Sequence, residues 1–346
     1  MSANESSYVS VSPGVTVVDT ILVALITLTG MIGNSVLLAA YYLHKDLQTP
    51  SNALVVNIAI SDLIMCCVVH PFILMSIIGR GSVTLSDTTC FAIGTIMVIT
   101  YGVSLWGQVT IAINRFIRVC FHTKYDKIYT FRNNTISIIV LWLCCITITY
   151  GGAAMNTCTY HYDPRQFECT YASRGDTKCA GMLITGILLP SVITFLLYSR
   201  IFCVIRRSTS RLSSHAEARP RESTTSGNSN KHAKKRESRD RRAVMTLFTA
   251  FLMLVLLFYP YAIVIIVDSN ASSGTLDRTI RYLAWFASIS TCTNPIVYGL
   301  MNSKFKIAYS DIFWSLRHCK RESSDGKHTL RRGSKFYVPR SSNTAT

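Results

Sequence analysis

A small set of polar residues stands in surroundings where a polar group is costly. They are Asn34 in GMIGNSVLLAA, Asp62 in NIAISDLIM, Ser104, Ser290 and Asn294 in CTNPIVYGL. A carboxylate or amide inside a lipid-embedded segment is expensive enough that its default reading is functional. One carboxylate among hydroxyls and amides, with no basic partner, has the chemistry to hold a small hard cation such as sodium at Asp62. The same set would also serve as an interhelical hydrogen-bond knot. At the end of another apolar stretch, TIAINRFIRVCF, Arg115 follows Asn114 with no acid beside it. A cation so placed can snorkel towards water without a local partner. No His, Cys or Ser cluster has catalytic or metal-ligand spacing, so nothing in the sequence points to an enzyme or to a metal other than sodium.

These residues need a frame that faces lipid. Of 346 residues, 49% are hydrophobic and 15% charged, too little charge to cover a soluble protein of this length. The charges cluster and leave seven apolar runs, near 17–42, 52–78, 90–117, 135–156, 180–205, 243–267 and 282–301. About 20 such residues cross a bilayer as a helix, and none of the runs alternates as a membrane strand would. Helices satisfy their own backbone in lipid. The expectation is therefore an all-α membrane protein, a seven-transmembrane helix bundle over 17–301. A bundle of buried soluble helices fits this patterning poorly. A transporter or channel would carry internal repeats and a trail of intramembrane charges, and the sequence shows neither.

Charge sets the orientation. The loop between the fifth and sixth runs is basic from Arg206 to Arg242, and so is the tail from Lys304 to Arg340. The opposite loops mix Asp163, Glu168, Asp176, Asp268 and Asp277 with few bases. Basic loops stay in the cytoplasm, so residues 1–16 are expected outside the cell and the tail inside, at the plasma membrane. The start, MSANESSYVSVSPG, lacks the basic head of a signal peptide, and the first helix is expected to act as its own targeting signal. The net charge of +17 mostly reflects this asymmetry, with attraction to anionic lipid and not to nucleic acid. Asn4 and Asn270 lie in outward glycosylation sequons, while the sequon at Asn133 faces inward. The loop 208–238 and the tail 320–346 are polar, basic and serine-rich, and are expected to be disordered. Between them, 302–319 places Phe305, Tyr309, Ile312 and Phe313 on one face of an amphipathic cytoplasmic helix lying on the membrane. Cys319 beside it suits palmitoylation.

Of the cysteines, Cys90, Cys158, Cys169 and Cys179 fall on the oxidising side, where disulfides persist. Cys90 with Cys169 would pin the second outer loop across the mouth of the bundle; whether Cys158 and Cys179 form a second bridge the sequence leaves open. Pro71, Pro190, Pro260 and Pro295 interrupt the runs. Each removes a backbone donor, bends its helix and frees a carbonyl for other contacts.

Taken in order, these features resemble a rhodopsin-like (class A) G-protein-coupled receptor. The resemblance rests on Gly33-Asn34, Asp62, the Cys90 and Cys169 pair, Asn114-Arg115-Phe116, Trp142, Pro190 with Tyr198, Pro260 and the NPIVY of Asn294 to Tyr298. INRF, KYDKIY, YDPRQFECTY and YGLMNSKFK look like the melatonin receptors and their orphan relatives. The insect receptors called trapped in endoderm and moody are similar. Ser173 and Gly152 stand where melatonin receptors carry the glutamine and asparagine that grip their ligand. Ser288 replaces the lysine that opsins need for retinal, and Met97 replaces the aspartate of aminergic receptors.

The resemblance implies a receptor for an extracellular ligand, acting through a heterotrimeric G protein of the inhibitory class, with arrestin and receptor kinases as further partners. Met97, Val98, Tyr101, Tyr171, Phe258, Tyr261 and Ser288 would line the ligand pocket, whose apolar wall on the third helix fits a small, neutral, indole-like or lipid-like ligand. Arg115 would be the switch, with Asn114, Phe116, Tyr198, Asn294, Pro295 and Tyr298 around it. Asp240 would supply the restraint that an acid before the arginine usually gives. With that acid replaced by Asn114, appreciable signalling without ligand is expected, and an orphan receptor with high ligand-independent activity is the alternative reading.

Overall fold

The computed structural model describes residues 13–80, 86–154, 160–170, 184–217, 227–269 and 277–325. Within these, the side chains of 153–154, 184–185, 208–217, 227–237, 239–240, 266, 268–269, 277 and 319–325 lie outside the described set. Seven spans pack side by side. The first is Pro13–Leu43, the second Pro50–Ile78, the third Asp87–Cys120 and the fourth Phe131–Ala154. A wide turn, Ile184–Leu188, opens the fifth, Leu189–Glu217, and the sixth runs Gly227–Ser269. The seventh is divided into Asp277–Ser288 and Ser290–Met301, and a last helix follows at Ser303–Asp325. A short helix, His122–Ile128, joins the third and fourth spans. Between the fourth and fifth lies an antiparallel hairpin of β1, His161–Asp163, and β2, Glu168–Thr170, pairing Tyr162 with Cys169 and Asp163 with Glu168. The hairpin marks one end of the bundle; Arg115 marks the other.

Six helices among the described residues are long and apolar enough to cross a membrane. The seventh run, expected as one piece over 282–301, starts earlier and breaks at Ile289 into two halves of 12 residues each. The loop read as disordered over 208–238 is helical up to Glu217 and again from Gly227. A helix already nucleated by a buried span extends readily into a polar sequence, and hydrophobicity carries no trace of that extension. The last helix likewise continues past 319 to Asp325.

Local chemistry explains the boundaries. Thr49 accepts from the Asn52 backbone N–H, with Pro50 at the first helical position; Ser86 does the same for Thr89, with Asp87 in the first turn. Two of the prolines follow π-helical turns. Met65–Val69 widens so that the His70 N–H reaches the Met65 carbonyl just before Pro71, and Ile184–Leu188 precedes Pro190. Pro295 lacks the N–H that would bond the Thr291 carbonyl four residues back. Asn34 takes that carbonyl instead, its Nδ2 donating at 2.8 Å and also to the Gly30 carbonyl at 2.9 Å. The freed acceptor of the seventh span is thus closed by the first.

Packing forms one core at the arginine end, around Leu37, Leu54, Ile58, Leu247, Phe251 and Phe305, and another at the hairpin end, around Met65, Ile73, Ile93, Phe167 and Trp285. Large apolar side chains such as Leu143, Leu196, Leu256 and Leu300 remain exposed on the outer surface. A water-soluble bundle would bury them; a bilayer covers them. On the last helix Phe305, Ala308 and Ile312 turn inward, whereas Phe313, expected on the same face, is 49% exposed. Gly33 lets the first and seventh spans approach, for a Cβ there would lie 2.8 Å from Cγ of the Pro295 ring. That ring is rigid and cannot yield. Gly33→Ala should cost about 1–3 kcal/mol, seen as a melting temperature several degrees lower in detergent; an unchanged melting temperature would mean that the two spans are not in this contact.

Candidate functional site

Three sites follow one another along the bundle axis. At the hairpin end lies a cavity of about 450 Å³ between the third, fifth, sixth and seventh spans. Met97, Val98, Tyr101, Phe258 and Tyr261, all expected there, line it. Ser288 lies just behind the wall, its hydroxyl 3.4 Å from that of Tyr101. Tyr171 is outside the described residues. The Tyr101 and Phe258 rings meet edge to face at 5.1 Å, and Phe258 packs on Tyr261 in the same way. The cavity also runs down between the third and fourth spans to Thr110 and Ser137.

The hairpin forms the cavity's roof. Cys90 at the top of the third span is bonded to Cys169 of β2, as expected; Cys158 and Cys179 lie outside the described residues. The turn closes with Phe167 at a positive φ of 58°, unusual for an aromatic residue. The Arg281 guanidinium stacks over that ring at 4.5 Å, donates to the Arg165 carbonyl at 2.8 Å and pairs with Asp19 of the first span at 3.7 Å. Arg165 clamps Asp163 at 2.7 Å. Gln166 donates Nε2 to the same carboxylate at 3.0 Å, which turns its Oε1 towards the Tyr261 hydroxyl, 2.8 Å away.

Beside this chain, Glu168 lines the cavity at 9% exposure. Burial pushes its carboxyl up to about 8; the Asp163 carboxylate across the strand pair adds to the rise, and a hydrogen bond with Tyr261 partly offsets it. Sequence reasoning grouped Glu168 only with the acids of the outer loops. Its position next to the disulfide cysteine was the available signal. Asp19 and Arg281 also went unrecognised, being ordinary charges near the ends of apolar runs.

At mid-bundle, Asp62 accepts from Ser104 Oγ and from Asn294 Nδ2, each at 3.1 Å, joining the second, third and seventh spans. Ser61 extends the knot to Ser104 at 2.9 Å. Ser290, expected in this set, is half-exposed; its neighbour Thr291 turns inward and meets Cys66. The break at Ile289 shifts which hydroxyl faces the axis. Asn57, not singled out from sequence, receives the Trp142 indole N–H at 2.8 Å and ties the second span to the fourth.

At the far end, Arg115 is 9% exposed and does not snorkel. It lies within electrostatic reach of Tyr298, Tyr125 and Tyr198, and no carboxylate among the described residues pairs with it. Its Nε and the Tyr198 hydroxyl are buried without hydrogen-bond partners. The ends of the spans away from the hairpin close over a cation that sequence reasoning placed in water. The side chain of Asp240, expected as its restraint, lies outside the described residues. Asn114 turns away from the arginine: its Oδ1 accepts from Ser51 Oγ at 3.0 Å and its Nδ2 donates to the Tyr125 hydroxyl at 3.3 Å. Arg118 covers the Tyr125 ring at 5.2 Å, and Phe116 packs on Phe121.

The sequence from residue 33 to 298 matches the family model of the 7 transmembrane receptor (rhodopsin family). The mouse melatonin receptor type 1A is 25% identical over 291 residues, 83% of this chain and 77% of that protein. The mouse melatonin receptor type 1B is 25% identical over 317 residues, 89% of this chain and 81% of that protein. Among solved structures, squid rhodopsin superposes with a TM-score of 0.76 over 94% of both chains at 21% identity, a likeness of fold. The chain belongs to the rhodopsin family of seven-transmembrane receptors. It is a multi-pass membrane protein and a G-protein-coupled receptor, a signalling protein and not an enzyme.

The displaced carboxyl of Glu168 carries a signed consequence. Its pKa is raised in the folded state, so between about 4.5, the ordinary value, and about 8 the unfolded chain releases a proton that the folded chain keeps. The resulting stability is full below that window and is lost as pH rises through it. The melting temperature of the purified receptor should fall from pH 5 to pH 8 more than that of Glu168→Gln; parallel curves would show that Glu168 is not buried as an acid.

Proposed function

We propose that the hairpin end faces outward at the plasma membrane, that a small ligand with an apolar body occupies the cavity, and that Arg115 is the switch at the cytoplasmic mouth. The basic loop and tail at the arginine end support this orientation. It would leave Asn4 and Asn270 open to glycosylation and Cys319 at the inner leaflet, where it would be palmitoylated and the last helix would lie on lipid. The observation that carries the reading is the stacking of cavity, buried carboxylate knot and closed arginine along one axis. Tyr101 and Phe258 at the cavity belong to the third and sixth spans, and the third carries Arg115 near its other end. A ligand that moves this ring pair tilts the sixth span, uncovers Arg115 and admits a helix of the G protein. The similarity to the melatonin receptors supports the inhibitory class of G protein, with arrestin and receptor kinases as later partners.

The Asp62 knot serves this motion as a latch. Asp62, Ser104 and Ser61 supply carboxylate and hydroxyl oxygens, so a sodium ion held there would complete its shell with water and would favour the closed arrangement. Ser288 in place of a Schiff-base lysine argues against retinal.

Because Asn114 spends its hydrogen bonds on Ser51 and Tyr125, nothing ionic in the described residues holds Arg115 shut. Basal signalling is therefore appreciable. Asn114→Asp adds a charge beside the arginine, and a restraint of about 1 kcal/mol would lower basal G-protein activation roughly fivefold. Arg115→Ala should abolish activation with or without ligand at normal surface expression. Both are read with G-protein dissociation sensors in cells, and full activation by Arg115→Ala would refute the switch.

A further inference from the structure

Of three carboxyl groups described in and around the hairpin, two are matched. Asp163 is held by Arg165 at 2.7 Å, and Asp19 pairs with Arg281 at 3.7 Å. Glu168 is the third. It is buried and lines the cavity, and among the described residues no Lys, Arg or His lies within ion-pair distance of it. Of the residues that line the cavity it is also the one acid, and no base is among them. Among the described residues, Glu168 thus lines the cavity without the positive charge that would match it.

We infer that the ligand supplies that charge: a protonated amine on an apolar, aromatic-sized body, with the amine seated against Glu168. The inference rests on the reading of this cavity as the ligand site and names the chemistry that the site selects. The expectation of a neutral ligand came from the third-span wall of Met97, Val98 and Tyr101; the roof, which the hairpin folds inward, changes it. Gln166 gives an Nε2 N–H to Asp163, and its Oε1 accepts from the Tyr261 hydroxyl, which also meets Glu168. Burial favours the protonated form of Glu168 in the absence of a cation. An amine cation gives the carboxyl reason to ionise, and the proton leaves to solvent as the ion pair forms. The faces of Tyr101, Phe258 and Tyr261 would add cation–π attraction. The amine would thus be met from the loop and not from the third helix, where Met97 offers no charge.

The groups facing Glu168 are Asp163 on β1, Tyr101 on the third span and Tyr261 on the sixth, with Arg165 committed to Asp163. Near neutral pH, amine binding would change the charge of Glu168, whose carboxyl burial has pushed up to about 8. Alkylamines stay protonated in that range, so their affinity should climb up to about tenfold per pH unit from pH 6 to pH 8.

Matched probes test this on the purified full-length receptor: tryptamine and phenethylamine, a panel of further arylalkylamines, and the N-acetyl derivative of each. Thermal stabilisation and direct binding give the affinities. At least one amine should bind 30-fold or more tightly than its neutral acetyl partner, with the pH slope above. Glu168→Gln should lose that preference and the slope while binding acetylated probes within threefold of wild type, and Glu168→Asp should restore part of both. Amine binding unaffected in Glu168→Gln, equal binding of the acetylated partners, or no binding by any amine would overturn the inference. Val98→Trp, which fills the cavity, separates it from the premise. If it abolishes binding of acetylated probes that ignore Glu168, the cavity is the ligand site and the charge assignment alone is wrong; amine binding that survives Val98→Trp removes the premise too.

Discussion

A carboxylate at the centre of a lipid-embedded bundle has no water to turn to, and its neighbours must answer for it. Asp62 is answered by Ser104 and Asn294, and in being answered it ties the second span to the third and seventh. The same constraint decides the first span, where Asn34 caps the carbonyl that Pro295 leaves open on the seventh. Four spans are therefore in register because buried polar groups allow few other arrangements. The rest of the bundle packs around that register, with Gly33 and Gly107 admitting the close approaches that it demands. A knot of this kind is also a natural place for a two-state element: moving the seventh span breaks bonds that only another ordered arrangement, or an ion, can replace.

The arginine end shows the opposite economy. Arg115 is buried with an unpartnered Nε, and the amide beside it is employed elsewhere, joining the foot of the second span to the short helix after the third. Among the described residues the mouth has no ionic clasp, and it is packed through Tyr198, Tyr298, Phe248 and Phe251. Packing is lost once the helices part, and opening this mouth breaks no ion pair of the described residues.

Much of this was legible in the sequence. The seven runs, the two cysteines of the hairpin bond, the polar residues of the knot and five pocket residues follow from hydrophobicity, depth and a family resemblance. What escaped has common physical causes. Ser290 was chosen over Thr291 because an unbroken helix was assumed, and the break at Ile289 rotates the register. Arg115 was placed in water because a single helix end looks exposed until its neighbours fold over it. Asn114 was read against the arginine, yet its partners come from Ser51, far away in sequence, and Tyr125. Glu168 looked like any loop acid until the disulfide and the strand pair pressed it inward. The helical continuations at 208–217 and 227–238 are polar throughout and carry no hydrophobic period.

No ionic contact among the described residues restrains the mouth over Arg115, from which follows the proposal that it opens in part without ligand. Spin labels at the exposed residues Phe121 and Arg241, with the exposed native cysteines replaced, would report the distance between the feet of the third and sixth spans. The ligand-free receptor should show a dominant short distance and a distinct minor population several ångströms longer, which grows when a G protein is added. A single short distance, unchanged by the G protein, would contradict the account.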